Sequence, residues 1–297
     1  MTNEAWPALP LAAWQGTYDT LHMWTQIVGK VRLELTPRVN HWWEVALYLT
    51  SRGLTTTPIP YTGGTFDATF DFFDHRLVFQ TSGGRTETIA LRPVPVADFY
   101  REVMAALRRL EIGVRISTKP QEYPNPIPFE KDTVHASYDP EYAHRCWRIM
   151  LGADEILKRF RGRFIGKASP VHVFWGGFDL AATRFSGRRN TTLPATADKV
   201  TREGYSHEVS SAGWWPGSGS LTAPAFYSYA APEPEGFRDA RIPAPAYYSA
   251  EFNNFLLPYD EVRSAPDPRT MVLDFLQSTY EAAANLGRWD RDALEYR

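Results

Sequence analysis

The chain has a single cysteine, Cys146, among its 297 residues. One cysteine cannot form an internal disulfide, and it excludes zinc and iron–sulfur sites that need several thiolates. No stretch approaches the roughly 18 consecutive apolar residues that cross a bilayer. The opening stretch MTNEAWPALPLAAW has an early glutamate, two prolines and no basic group ahead of an apolar run, unlike a secretory signal. We therefore expect a cytoplasmic protein.

The sequence also lacks an excess of charge of either sign. Its formal net charge is −2 and its isoelectric point is about 6.4. Without a basic field to attract a polyanion, nucleic-acid binding is disfavoured. We expect a small-molecule ligand, with neither a nucleic acid nor a membrane as partner.

Common catalytic motifs are missing. The sequence has no phosphate-binding Walker loop, no dinucleotide-binding glycine pattern and no nucleophile elbow. His207-Glu208 lacks the second histidine that a zinc-protease helix requires. These absences weigh against common hydrolases, kinases and nucleotide-dependent dehydrogenases.

Aromatic residues are abundant. The chain has 10 Trp, 15 Tyr and 17 Phe, and 43% of its residues are hydrophobic. Aromatic side chains favour strands and bury large areas. The composition therefore indicates sheet-rich packing, an aromatic-lined cleft, or both.

Two parts of the chain begin alike. Ile27–Lys30 and Phe164–Lys167 each follow a helical pattern, and each precedes a Trp-bearing stretch typical of a strand, Trp42–Thr50 and Phe174–Thr183. Such self-similarity indicates an internal repeat. We predict an α+β fold of two related antiparallel β-sheet units with packed helices. The predicted bounds are 1–118 for the first helix–sheet–helix unit, 119–139 for a proline-rich connector and 140–297 for the second helix–sheet–helix unit.

Local patterns predict individual elements. Residues 65–73 alternate apolar and polar side chains, which is typical of a strand with one buried face. Asp267 and Pro268 provide the N-cap and first position of a last helix that ends at Gly287. Further strands are predicted at 76–81, 85–91, 171–175, 178–183, 205–211, 226–229 and 252–258, and a central helix at 140–163.

Several longer stretches carry a family resemblance. They are WPALPLAAWQ, TLHMWTQIVGK, NHWW, SPVHVFWGGFDLAATRFSGR, YSHEVSSAGWWPG and FLQSTYEAAA. On these stretches the chain resembles a bacterial family known only as a domain of unknown function, family 5996. The resemblance covers nearly the whole chain and implies one unit. It implies no activity, ligand or catalytic residue.

The densest group of chemically active side chains lies in the second half. If Gly176-Gly177 forms a tight turn, His172 and Asp179 share one strand face. His172, His207 and Glu208, or Asp179 in place of Glu208, could then bind a divalent metal such as iron(II), zinc or manganese. The same three residues and Asp179 could instead act as catalytic acids and bases, or be ordinary hydrogen-bonded residues.

A ligand-binding role is assigned to basic and aromatic neighbours. Arg184 and Arg188 could grip an anion, or complement the negative end of a helix. Tyr205, Trp175 and Trp214 could line an aromatic cleft, although core packing explains such residues equally well.

The sequence therefore supports three functional hypotheses. The first is an enzyme that acts on a small anionic or aromatic metabolite by histidine and carboxylate chemistry. The second is a non-catalytic small-molecule binding protein that uses the same cleft. The third is a protein–protein interaction module anchored by exposed Trp214 and Trp215.

Overall fold

A computed structural model describes residues 6–217 and 219–296. It has an α+β architecture in which helices pack against two antiparallel β-sheets. The helices are α1 Leu11–Leu35, α2 Val96–Arg109, α3 Pro140–Gly162, α4 Lys199–Gly204, α5 Tyr259–Ser264, α6 Pro268–Leu286 and α7 Arg291–Leu294. Short 3₁₀ turns lie at Asn40–Val45, Phe129–Lys131 and Phe237–Asp239.

The first sheet is a meander whose strands follow the chain. Its strands are β1 Tyr48–Leu49, β2 Gly53–Thr55, β3 Ile59–Tyr61, β4 Gly64–Asp71, β5 Arg76–Thr81 and β6 Thr86–Ala90. Their order is β1-β2-β4-β5-β6, and β3 also pairs with β4. The alternating side chains of β4 place Phe66, Ala68 and Phe70 in the core. The strand predicted over 65–73 is therefore present.

The second sheet has the same meander character. Its strands are β7 His172–Phe174, β8 Asp179–Arg189, β9 His207–Trp215, β10 Ala225–Ala231, β11 Tyr247–Ser249 and β12 Asn254–Pro258. They lie in the order β11-β12-β10-β9-β8-β7, with antiparallel pairing throughout. Both sheets have six strands, which confirms the predicted α+β class with two similar units.

A buried helix and a strand contact are among the features that join the two halves. Every residue of α1 from Thr20 to Arg32 is buried, as expected for a helix surrounded by protein on all sides. Leu47 of the first half exchanges two backbone hydrogen bonds with Val173 of the second, at 2.9 and 2.8 Å. One continuous hydrophobic core includes residues of both halves. Within the described residues, none of the helices combines the length and apolar character that crossing a membrane requires.

The two stretches used to detect the repeat adopt different structures. Ile27–Lys30 lies inside α1, whereas Phe164–Lys167 follows the end of α3. The prediction of a strand over 42–50 is wrong for most of that range. Its first residues belong to the 3₁₀ turn Asn40–Val45, in which His41 and Trp42 have φ of 59° and 61°. Only Tyr48–Leu49 is a strand there. The two units therefore resemble each other in the antiparallel strand arrangement of their sheets, and not in these two stretches.

Candidate functional site

The face of the second sheet that points away from α3 and α6 carries polar and aromatic side chains. We call it the polar face and define it by Asp179, Thr183, Ser211, Tyr227 and Tyr229. Residues that pair across neighbouring strands lie on the same face, and the register joins Thr183 to Ser211 and Ser211 to Tyr229. The opposite face packs into the hydrophobic core.

Asp179 and Tyr227 meet across β9. The Tyr227 hydroxyl donates a hydrogen bond to Asp179 Oδ2. This contact requires Gly213 between them, because a β-carbon at that position would lie 2.6 Å from the Tyr227 hydroxyl and 2.0 Å from the Leu180 carbonyl oxygen. The glycine therefore lets the tyrosine ring reach over one strand to the carboxyl group.

Further hydroxyl groups extend the polar face beyond this pair. The Tyr229 ring stacks on the Tyr227 ring with 6.1 Å between the centroids. The hydroxyls of Tyr229 and Tyr205 are 2.9 Å apart, and those of Thr183 and Ser211 are 2.8 Å apart. Burial raises the pKa values of Tyr227 and Tyr229, so both keep their protons near neutral pH. The face therefore presents hydroxyl groups that can donate hydrogen bonds.

A second carboxyl group approaches Asp179 from the connector. Glu122 lies over the turn that joins β7 to β8. A β-carbon on Gly177 would lie 3.1 Å from Asp179 Oδ1 and 3.6 Å from Glu122 Oε2, so both oxygens surround one small space. Asp179 is partly buried, and Glu122 keeps an exposed side. The two carboxyl groups thus border the same space beside Gly177, and Glu122 is open to solvent.

The surroundings change the proton affinity of both groups. Burial raises the pKa of Asp179 to about 7, and the neighbouring Glu122 charge adds to the increase, although the hydrogen bond from Tyr227 opposes it. Burial also raises the pKa of Glu122, and Asp198 adds to that effect. A carboxyl group that titrates near neutrality can both give and take a proton. This is a property that acid–base catalysis requires.

A cleft opens beside the tyrosines. Its volume is about 610 Å³, within the range of small-molecule sites. Glu233 forms one wall, where Arg238 donates to it at 2.7 Å and Tyr248 at 2.6 Å. The remaining walls include Tyr205, Tyr229, Asn190, Phe252 and Asn254.

Residues on both sides of Glu122 attach the connector to the rest of the protein. Gln26 on α1 accepts from the Gln121 amide at 2.8 Å and donates to the Gln121 carbonyl at 2.9 Å. The Tyr123 hydroxyl lies 3.1 Å from His135 Nε2. These contacts fix the backbone that carries Glu122.

His172 and Asp179 share a strand face, as the sequence predicted for a tight turn. The pairing is diagonal, because His172 lies opposite Ala181 and Asp179 lies opposite Phe174. His172 is fully buried, packs edge-on against Phe174 at 4.4 Å, and has no hydrogen-bond partner among the described residues. Burial lowers its pKa to about 3, so the ring is neutral.

The structure does not bring together the three residues proposed to bind a metal. His207 begins β9 and lies opposite Arg189, two strands away from the buried His172. Glu208 accepts hydrogen bonds from Ser186 at 2.9 Å and from Arg188 at 2.6 Å. Across residues 6–217 and 219–296, no group of three or more His, Cys, Asp or Glu side chains could hold a metal ion.

The two arginines expected to grip an anion serve other contacts. Arg184 is only 1% exposed, lies between the Phe160 and Tyr280 rings, and donates to the Phe160 carbonyl near the end of α3. Arg188 joins Glu208 to the Gly287 carbonyl after α6, at 2.5 Å. Both place a cation at the carboxyl end of a helix, where it is stabilised by the helix dipole.

Both tryptophans that were assigned to the cleft, Trp175 and Trp214, belong to the core. Trp214 is 0% exposed, so the prediction that it is exposed is wrong. It pairs with Leu180 and Phe226 on the core face, because side chains alternate along β9. Trp175 packs against Gly29 of α1 and donates to the Val45 carbonyl at 2.8 Å.

Of the residues predicted from sequence, Asp179 lies on the polar face together with the buried His172 and the more distant His207, and Tyr205 lines the cleft beside it. Sequence reasoning missed Glu122, which sits in a segment recognisable only as a proline-rich connector. The pairing of Glu122 with Gly176-Gly177 joins residues more than fifty positions apart, and no local pattern signals such a contact.

Comparison with known proteins gives one match. A family model described as a family of unknown function (DUF5996) matches residues 6–296. No curated protein and no solved structure matches the chain.

Proposed function

The chain belongs to the family of unknown function (DUF5996), and we propose that it is an enzyme that performs acid–base chemistry on a small uncharged molecule. Asp179 is the proton donor and Glu122 is the proton acceptor. The single observation that carries the proposal is the meeting of these two carboxyl groups over Gly177, with a tyrosine hydroxyl bonded to one of them.

The division of roles follows from the surroundings of each carboxyl group. Asp179 is the more enclosed, and its pKa of about 7 leaves a large fraction protonated at neutral pH. Glu122 is exposed on one side, and we assign the acceptor role to it. Pairs of carboxyl groups with different environments divide acid and base roles in this way.

The side chains that line the cleft beside Tyr229 indicate the class of substrate. Tyr205 and Tyr229 offer ring faces and hydroxyl groups, while Asn190 and Asn254 offer amides. Such a lining suits a neutral molecule with an aromatic ring or several hydroxyl groups. An anionic substrate fits this cleft poorly, because the expected Arg184 and Arg188 cap helices instead.

The proposal can be tested without knowing the substrate. Purified protein is incubated with a small-molecule extract of cells, and compounds that disappear or accumulate are followed by untargeted mass spectrometry. We expect the wild type to convert at least one compound, and Asp179→Asn to slow that conversion by about 100-fold or more. Glu122→Gln should also slow it, whereas Glu130→Gln, an exposed glutamate on the same connector, should match the wild type.

Two results would contradict the proposal. If Asp179→Asn converts the same compound at the wild-type rate, the carboxyl pair is not the catalytic centre. If native mass spectrometry finds a bound compound that the wild type never converts, the chain is a non-catalytic binding protein that uses the same cleft.

A further inference from the structure

A group of basic side chains lies at the other end of β9 from Gly213. We call it the basic cluster and define it by Lys167, Arg189, His207 and His41. His207 begins β9, about 20 Å along the strand from Gly213. The cluster is therefore separate from the carboxyl pair of the polar face.

The contact between Lys167 and His41 is unusual because it joins two basic groups. Lys167 Nζ lies 2.6 Å from His41 Nε2. His41 Nδ1 lies 3.0 Å from the Glu203 carbonyl oxygen, so Nδ1 carries the ring proton and Nε2 accepts from the lysine. Burial and the Lys167 charge lower the pKa of His41 to about 4, which keeps the ring neutral.

Arg189 adds a second cation beside His207. His207 and Arg189 are direct partners across β8 and β9, and the His207 ring centre is 5.9 Å from that of His41. The pKa of His207 is lowered, first by desolvation and then by the charges of Lys167 and Arg189. Within the described part of the chain, neither Lys167 nor Arg189 forms an ion pair with a carboxylate. Neither of these two cations therefore has a carboxylate partner at ion-pair distance among the described residues.

Aromatic rings support the cluster from beneath. Lys167 Nζ lies 4.9 Å from the Phe185 ring centre and 5.6 Å from that of Trp43. Phe185 is buried, whereas Lys167 and Arg189 are exposed. The ammonium and guanidinium groups thus remain open to a ligand from solvent while the floor is apolar.

We propose that the basic cluster binds a small oxyanion, a phosphate or carboxylate group, through Lys167, Arg189 and His207. Arginine and lysine donate charge-assisted hydrogen bonds to such groups, and the N–H of a neutral histidine ring is a further donor. The bound anion supplies the negative charge that the surrounding protein does not. The site takes the place of the one that Arg184 and Arg188 were expected to form.

The test is an anion titration at constant ionic strength, using inorganic phosphate, succinate and chloride in separate experiments. Histidine side-chain NMR signals report binding at His207. We expect saturable shifts with phosphate or succinate and none with chloride, and the tighter of the two anions identifies the source of the oxyanion. Lys167→Gln and Arg189→Gln should each weaken binding about 10-fold or more, since each removes a charged hydrogen bond.

Lys158→Gln is the matched control, because Lys158 is an exposed lysine on α3 that pairs with Asp154. It should bind like the wild type. The proposal is overturned if all three salts shift the signals equally, if no shift saturates, or if Lys167→Gln binds the anion as tightly as the wild type does. Both glutamine variants change exposed side chains, so circular dichroism should show wild-type folding.

Discussion

Replacing Asp179 by asparagine should change how stability depends on pH. Asparagine resembles the neutral carboxylic acid in shape but cannot ionise. An aspartate in the unfolded chain has a pKa of about 3.9, whereas burial raises the pKa of Asp179 to about 7 in the folded protein. Between these values the folded state binds more protons, so the free energy of unfolding falls as pH rises.

The size of the effect follows from the difference between the two pKa values. The full difference corresponds to about 4 kcal/mol. Because Asp179 is only partly buried, solvent screening reduces the effect, and we expect about 2 kcal/mol. The wild type should lose this stability between about pH 4 and pH 8, and Asp179→Asn should not. From pH 4 to pH 8 the free energy of unfolding should therefore fall in the wild type but stay nearly constant in the variant.

Urea unfolding followed by tryptophan fluorescence at several pH values measures this difference. Asp274→Asn is the matched control, because Asp274 is exposed on α6; its curve should run parallel to that of the wild type. Tyr227→Phe removes the hydrogen bond that lowers the pKa of Asp179, so it should move the pH-dependent loss to higher pH. Parallel curves for the wild type and Asp179→Asn would refute the reasoning.

Two further substitutions test the fold, and urea unfolding measures both. Gly29→Ala places a β-carbon 2.2 Å from the Trp175 ring and should destabilise the protein by about 2 kcal/mol. The control Gly113→Ala should not, because its β-carbon meets no atom within 4 Å. Equal effects of the two substitutions would contradict the close packing of α1 on the second half. Asp267→Ala removes an N-cap that accepts from the Thr270 amide at 3.1 Å and should cost about 1 kcal/mol, and an unchanged stability would contradict this cap.

Elements with a strong local signal were predicted well from sequence. The alternation over 65–73 gives β4, and the Asp267-Pro268 pair begins α6 where expected. Both depend on neighbouring residues alone, through strand periodicity and helix capping. The proline-rich stretch was correctly predicted to lack regular helix or strand over most of its length.

Errors arose where contacts distant in sequence decide the structure. His41 adopts a left-handed backbone conformation because it bonds to the end of α4, more than 150 positions away. Trp214 was expected to be exposed, yet it lies in β9 with its side chain in the core. Glu122 was overlooked as a site residue because only the folded chain places it over the β7–β8 turn. The type of residue was visible in each case, but its neighbours in space were not.

The ionisation of Asp179 is the property on which the proposed catalytic site depends most. Carboxyl ¹³C NMR of aspartate-labelled protein, with the Asp179→Asn spectrum to assign the signal, measures it directly. A midpoint near pH 7 is predicted, and it should rise further in Tyr227→Phe. A midpoint near pH 4 in the wild type would mean an ordinary solvent-exposed aspartate and would contradict the account.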